Sequence, residues 1–148
     1  MTWFLLVPVA LAAGTAVSVQ FGVNSQLRGV AGGPVAAAAI SFIVGTIALV
    51  ALTLLLNGGP PSFGDVANAP WWLWTGGLLG SFYVFASVIL TPRLGAATTV
   101  ALILTGQVLA SIVIDHFGLL RVTSQEATPL RLLGAGLIVA GVFFVQRF

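Results

Sequence analysis

Residues 34–56 read PVAAAAISFIVGTIALVALTLLL, and this stretch decides the fold class because it carries no charged side chain along its whole length. A membrane-spanning helix needs about 20 consecutive, mainly apolar residues. The stretch opens on Pro34, which a helix tolerates at its first position because the N–H there has no intrahelical partner. It ends at NGGPP, residues 57–61, a run typical of a turn. The sequence therefore predicts a transmembrane helix here.

Four further long apolar runs flank this stretch, and the five predicted spans cover residues 3–23, 34–56, 71–90, 95–114 and 129–145. No positively charged segment precedes the first run, which argues against a cleaved signal peptide. The sequence thus predicts a single all-α transmembrane domain over residues 1–148. Five spans place the two termini on opposite sides of the membrane.

The composition excludes most soluble functions. Of the 148 residues, 59% are hydrophobic and only 5% are charged, whereas a soluble domain carries about 25% charged residues. The net charge of +2 comes without a basic stripe, so we expect no nucleic-acid partner. The absence of cysteine excludes disulfides, thiolate metal sites and a cysteine nucleophile. Because no catalytic, cofactor or metal-binding motif is present, we expect no enzyme activity, no catalytic residue, no cofactor and no metal.

The arginines give almost no preference for one orientation in the membrane. If the N-terminus lies on side A, side A holds Arg121 and Arg131, and side B holds Arg28, Arg93 and Arg147. Three against two is a very small difference under the positive-inside rule, so the chain could insert both ways. The tryptophans fall toward side A, as an interfacial belt would, and they are Trp3, Trp71, Trp72 and Trp74.

Small residues recur at helix-packing intervals in three of the spans, where they let helix backbones approach closely. The residues predicted to serve helix packing are Ser41, Gly45, Gly76, Gly80, Gly134 and Gly141. This spacing fits packing inside one subunit and packing between two subunits equally well.

Polar side chains in hydrocarbon point either to function or to a structural network. In the first span, Gln20 could bind a substrate or a neighbouring helix, and Asn24 is interpreted as a solvated residue at the helix end. In the third span, Tyr83 shares a face with Gly80 and Ser87, so it either lines a cavity or fills space between helices.

The fourth span has the most polar helix face, because Gln107, Ser111 and Asp115 recur at four-residue steps and His116 follows. This face fits either a structural network at a helix end or a path for substrate or protons. No acid or base lies at the middle of any span, so Asp115 and His116 are the only plausible proton carriers. We expect these two residues to serve proton coupling or the entrance of the path.

Several short stretches carry a resemblance to a known family. They are AISFIVG at 39–45, PWW at 70–72, PRLGA at 92–96, GQ at 106–107 and SIVIDHFG at 111–118, together with Gln20, Asn24 and Leu27. Through them the chain resembles, along almost its whole length, the YdcZ-like inner-membrane exporter family of the drug/metabolite transporter superfamily.

The resemblance implies a multi-pass protein of the bacterial inner (plasma) membrane with five helices, related to one half of a ten-helix inverted-repeat transporter. Such halves are expected to work in pairs, as one chain in two orientations or as two sister chains. The four-helix multidrug transporters of the superfamily carry a glutamate in their first helix, where Gln20 is the nearest polar residue here. The resemblance therefore does not imply that this chain exchanges drugs for protons.

Our leading hypothesis is a transporter half that forms an antiparallel dimer in the lipid bilayer and moves a small metabolite or drug-like solute. Its candidate substrate-binding residues are Gln20, Tyr83, Gln107 and Ser111. A passive channel and a non-transporting assembly subunit are the alternatives. Flux that does not saturate would favour the channel, and polar-face substitutions that lower only abundance would favour the assembly subunit.

Overall fold

The structure, a computed structural model, describes residues 3–57, 59, 64 and 67–147, and within these ranges its regular secondary structure is entirely helical. The α-helices are α1 (Trp3–Val30), α2 (Pro34–Asn57), α3 (Thr75–Leu94), α4 (Ala96–Phe117) and α5 (Pro129–Arg147), and 3-10 helices cover Trp71–Trp74 and Leu119–Arg121. Five helical stretches of 19 to 27 residues are long and apolar enough to cross a membrane. The predicted all-α fold with five spans is confirmed.

The first helix is seven residues longer than predicted, because α1 continues past residue 23 to Val30. The polar residues that follow Val23 do not stop it. Instead, Gly32 adopts a φ of 80°, and the N–H of Gly33 donates to the carbonyl oxygen of Arg28 at 3.1 Å. This bond closes the helix as a Schellman motif does, with glycine in the left-handed position.

The third helix also passes its predicted end, since α3 runs through Pro92 to Leu94. Proline removes one backbone donor, and this loss falls in the last turn, where only two helical residues follow. Gly95, with a φ of 81°, ends the helix. The helix therefore ends at Leu94, four residues beyond the predicted end at residue 90, and a glycine follows it.

The chain divides into two compact units, Met1–Arg93 and Leu94–Phe148. In the first unit, the start of α2 supplies small side chains around which α1 and α3 pack. The buried core consists of Ala37, Ala38, Val84 and Val88, with Leu27, Ala31, Tyr83 and Phe85 packed against it.

In the second unit, α4 and α5 lie side by side and are joined by the 3-10 helix and an extended segment. Gly118, Leu120 and Arg121 have φ values of 57° to 60°, in the left-handed region that only glycine adopts without strain. The 19 residues of α5 span about 28 Å at 1.5 Å per residue. This length nearly matches a hydrocarbon core of about 30 Å.

Most of the apolar helix surface is exposed. In an apolar 18-residue stretch of each span, the fraction of residues that are buried is 6%, 0%, 17%, 11% and 11% for the five spans in order. A helix in a soluble bundle buries one apolar stripe and exposes a polar face, whereas these helices are apolar all round. Their surface suits lipid.

Among the glycines predicted to serve helix packing, Gly80 lies against a neighbouring helix. A Cβ at Gly80 would lie 3.4 Å from Cζ of Phe42 on α2. A Cβ at any of the other four would meet no described atom within 4 Å, and these are Gly45, Gly76, Gly134 and Gly141. For them and for the half-buried Ser41, a packing role stays a prediction.

We expect Gly80→Leu to lower the free energy of unfolding by about 1–3 kcal/mol, because the larger side chain must displace Phe42. Gly76→Leu is the matched control, since Gly76 lies one turn earlier on α3 in open space. It should leave stability unchanged or raise it through helix propensity, by up to about 1 kcal/mol. Thermal unfolding in detergent measures both, and equal destabilisation would contradict the α2–α3 contact.

Candidate functional site

The candidate residues fall into two sets, one in each compact unit. Gln20 and Tyr83 belong to residues 1–93, and the polar face of α4 belongs to residues 94–148. Each set is described by itself.

In the second unit, the polar face of α4 lines a groove against α5 with a volume of about 450 Å³. The α4 wall includes Gln107 and Ser111, and the α5 wall includes Arg131 and Gly134. Both α4 side chains are exposed and have no hydrogen-bond partner among the described residues. The predicted four-residue spacing thus brings two polar groups onto one concave surface.

An ion pair lies one turn beyond Ser111. Arg131 donates from Nη2 to Oδ2 of Asp115 at 2.6 Å, and its Nη1 donates to the carbonyl oxygens of Gln125 at 3.1 Å and Glu126 at 3.4 Å. One guanidinium therefore connects the end of α4, the extended segment and the first turn of α5.

His116 also binds this segment. Its Nδ1 accepts the backbone N–H of Ala127 at 3.2 Å, while the N–H of Gln125 donates to the carbonyl oxygen of Asp115 at 2.9 Å. Asp115 and His116 thus anchor the α4–α5 connection, and their role in proton coupling or at an entrance stays a prediction.

In the first unit, Tyr83 contacts α1 through Phe21. The two ring centroids lie 5.7 Å apart with the planes tilted by 56°, a geometry typical of aromatic packing. Gln20 is half-buried and has no hydrogen-bond partner among the described residues. Tyr83 therefore joins α1 to α3, and its contact with a solute stays a prediction.

The interpretation of Asn24 as a solvated helix-end residue is wrong. Asn24 is 3% exposed, because α1 continues past it, and its Nδ2 has no partner among the described residues. On α3, Ser87 is fully buried and donates to the carbonyl oxygen of Val84 at 2.7 Å. Thr91 is 8% exposed, and its Oγ1 also has no partner.

The sequence analysis did not predict that Asn24, Ser87 and Thr91 are buried together. Asn24 lies one turn beyond Gln20, and Ser87 lies one turn beyond Tyr83. Asn24 and Ser87 therefore lie on the same helix faces as Gln20 and Tyr83, which the sequence analysis had already selected, so the spacing could have predicted them. Thr91 lies just beyond the predicted third span, residues 71–90.

A second concave surface in the first unit is almost wholly apolar. It lies between α2 and α3, has a volume of about 420 Å³, and is lined by Val35, Ala38, Ala39, Phe42, Ser81, Phe82 and Phe85. Within the described ranges, no group of three or more His, Cys, Asp or Glu residues could hold a metal ion.

Comparison with known proteins identifies the family. The profile described as "Putative inner membrane exporter, YdcZ" matches residues 5–144. The chain belongs to the YdcZ exporter family. It is 31% identical to the inner membrane protein YdcZ of Escherichia coli (strain K12) over 153 aligned positions, which cover 99% of this chain and 98% of the relative. No solved structure matches the chain significantly.

Family membership confirms the resemblance inferred from the sequence. As a member of the YdcZ exporter family with five helices of membrane-spanning length, the chain is a multi-pass protein of the bacterial inner membrane. The family is described as an inner membrane exporter, which is a kind of transporter.

We expect the Asp115–Arg131 ion pair to stabilise the second unit by about 1 kcal/mol, because both side chains keep contact with solvent, at 21% and 32% exposure. Asp115→Asn and Arg131→Gln should each destabilise, and the double variant should lose less than their sum. Trypsin cleavage after the exposed Arg121 reports opening of the connection, so it should accelerate in both single variants.

Glu126→Gln is the matched control for this ion pair, because Glu126 lies in the same connection and contributes only its backbone carbonyl. It should leave trypsin cleavage unchanged. Additive effects of Asp115→Asn and Arg131→Gln would contradict the coupling.

Proposed function

We propose that this chain is one half of a transporter, which pairs with a second copy or a sister chain in the opposite orientation and moves a small metabolite or drug-like solute by alternating access. Gln107 and Ser111 line the solute path in the second unit, and Asp115 with His116 lies at its entrance. Gln20 and Tyr83 contribute solute contacts in the first unit.

The observation that carries this proposal is the exposure of Gln107 and Ser111 in the α4–α5 groove. A polar side chain in hydrocarbon is costly unless it faces a partner or a water-filled cavity. The described residues supply no partner. A second chain over the groove, with solute between the two, supplies both the partner and the cavity.

The arginine positions support opposite orientations. Arg28, Arg93 and Arg147 lie in the last turns of α1, α3 and α5. Arg121 lies in the α4–α5 connection, and Arg131 lies in the first turn of α5. With spans that alternate in direction, three arginines face one side and two face the other, which provides little bias for insertion.

We expect a reporter that is active only in the cytoplasm to give signal from both N-terminal and C-terminal fusions. In a chain with five spans, the two termini lie on opposite sides, so signal from both requires two orientations. The double substitution Arg28→Gln and Arg93→Gln should shift the ratio of the N-terminal to the C-terminal signal. The arginine count then favours side A by two to one. Signal from a single terminus would contradict the homodimer and leave a sister chain as the partner.

Pairing of antiparallel α4 helices makes a second, geometric prediction. A two-fold axis in the membrane plane brings a residue next to its own copy only near the bilayer midplane. Gln107 is at the middle of α4 (Ala96–Phe117), so Gln107→Cys should form a disulfide with itself. Ser111→Cys, about 6 Å along the helix, should not, because its copies lie about 12 Å apart and a disulfide needs Cα atoms within about 7 Å.

The natural chain has no cysteine, so each variant carries a single thiol and dimers on non-reducing gels report the pairing directly. Ile103→Cys mixed with Ser111→Cys should form the heterotypic disulfide, since the two positions lie four residues on either side of 107. Leu109→Cys, on the opposite face of α4, is the control. Efficient self-linking of Ser111→Cys would indicate a parallel pair and contradict the proposal.

A further inference from the structure

Among the described residues of the first unit, three polar side chains are buried: Asn24 on α1, and Ser87 and Thr91 on α3. We call them the Asn24 cluster. Nδ2 of Asn24 and Oγ1 of Thr91 are inaccessible and have no partner among the described residues. Native proteins leave very few such groups unpaired, because each costs the full desolvation penalty. A ligand with hydrogen-bond acceptor atoms would supply the partner that both atoms lack.

The Asn24 cluster lies next to the aromatic pair formed by Phe21 and Tyr83. The Phe21 and Tyr83 rings, 5.7 Å apart, bring α1 and α3 together at one level. Asn24 follows Phe21 by about one turn, and Ser87 follows Tyr83 by one turn. Successive spans alternate in direction, so α1 and α3 run the same way and both polar groups lie on the same side of the ring pair.

The charge beyond the cluster is positive. Arg28 follows Asn24 by four residues, so the two share a face of α1, and Arg28 is half-buried. Arg93 lies two residues after Thr91. The single acid in residues 1–93 is Asp65, which lies between α2 and α3 in the sequence. Each arginine offsets the partial negative charge of its helix C-terminus, about half a charge, and a net positive field remains.

We infer that the Asn24 cluster binds a small organic carboxylate. The carboxylate oxygens accept from the Asn24 amide and the Thr91 hydroxyl, the guanidinium of Arg28 supplies the opposite charge, and an apolar or aromatic body lies against Phe21 and Tyr83. A carboxylate is an acceptor-only group with two oxygens, which matches unpaired donors next to an arginine. As a statement of the transported solute this rests on the proposed function, but binding is measurable without transport.

The test uses the cysteine-free chain in membranes with Ser87→Cys and Val88→Cys, because both parent side chains are fully buried and only Ser87 belongs to the cluster. The probes are two methanethiosulfonates, the anionic 2-sulfonatoethyl and the cationic 2-trimethylammonioethyl reagents. We expect the anionic probe to modify Ser87→Cys at least about tenfold faster than the cationic probe, since the positive charge of Arg28 and Arg93 attracts anions. Val88→Cys should react with neither.

Protection then identifies the ligand class. Benzoate and benzylamine share one ring and carry opposite charges, and we expect benzoate alone to slow modification of Ser87→Cys. Adding Arg28→Gln should weaken this protection, and adding Asn24→Leu should abolish it. Asn24→Leu should keep or raise the thermal unfolding temperature, because it removes a buried unpaired amide, so lost protection is then distinct from unfolding.

Three outcomes would overturn the inference: a Ser87→Cys thiol as unreactive as Val88→Cys, no preference for the anionic probe, or equal protection by benzoate and benzylamine. None of these depends on the orientation of the chain or on flux. A chain that binds benzoate but moves no solute would instead overturn the proposed transport function alone.

Discussion

Hydrocarbon offers a polar group no hydrogen-bond partner, and the rest of this structure depends on that constraint. The backbone meets it by forming helices, whose peptide groups pair within the segment. Most hydroxyls meet it locally, by donating to the carbonyl oxygen one turn earlier. The distances are between 2.8 and 3.1 Å, as in Thr15, Ser18, Thr53, Ser81, Thr99 and Thr105. Side chains without such a partner are therefore informative, and they include Gln20, Asn24, Thr91, Gln107 and Ser111.

The α4–α5 connection shows how the chain uses its scarce charges. Leu120 and Arg121 adopt left-handed backbone angles, which cost about 1 kcal/mol or more each for residues with a side chain. Such strain persists only where surrounding contacts fix the segment. Here Arg131 binds a carboxylate and two carbonyl groups, and His116 accepts a backbone N–H. Two of the protein's few ionised groups thus serve to shape one loop.

The sequence predicted the features that depend on local composition and spacing. It did not predict those that depend on contacts between residues far apart in the chain. Apolar runs predicted five helices, and four-residue steps on α4 correctly brought Gln107 and Ser111 to one surface. The predicted end of α1 at residue 23 was wrong. Asn24 was interpreted as solvated, whereas α1 continues past it to Val30 and Asn24 is buried. The partner of Asp115 lies sixteen residues away, and only the conformation of the intervening loop brings Arg131 to it.

The placement of charge also bears on the kind of solute that such a chain can carry. A carrier of organic cations that exchanges them for protons needs a carboxylate that both ligands can share. The three acids of this chain are Asp65, Asp115 and Glu126. The first precedes the third span, the second is bound to Arg131, and the third lies in the α4–α5 connection. The polar groups left unpaired in the spans are neutral, and the arginines lie at helix ends. Neutral hydrogen-bonding groups in the spans and positive charge near the span ends favour a neutral or anionic solute over an organic cation.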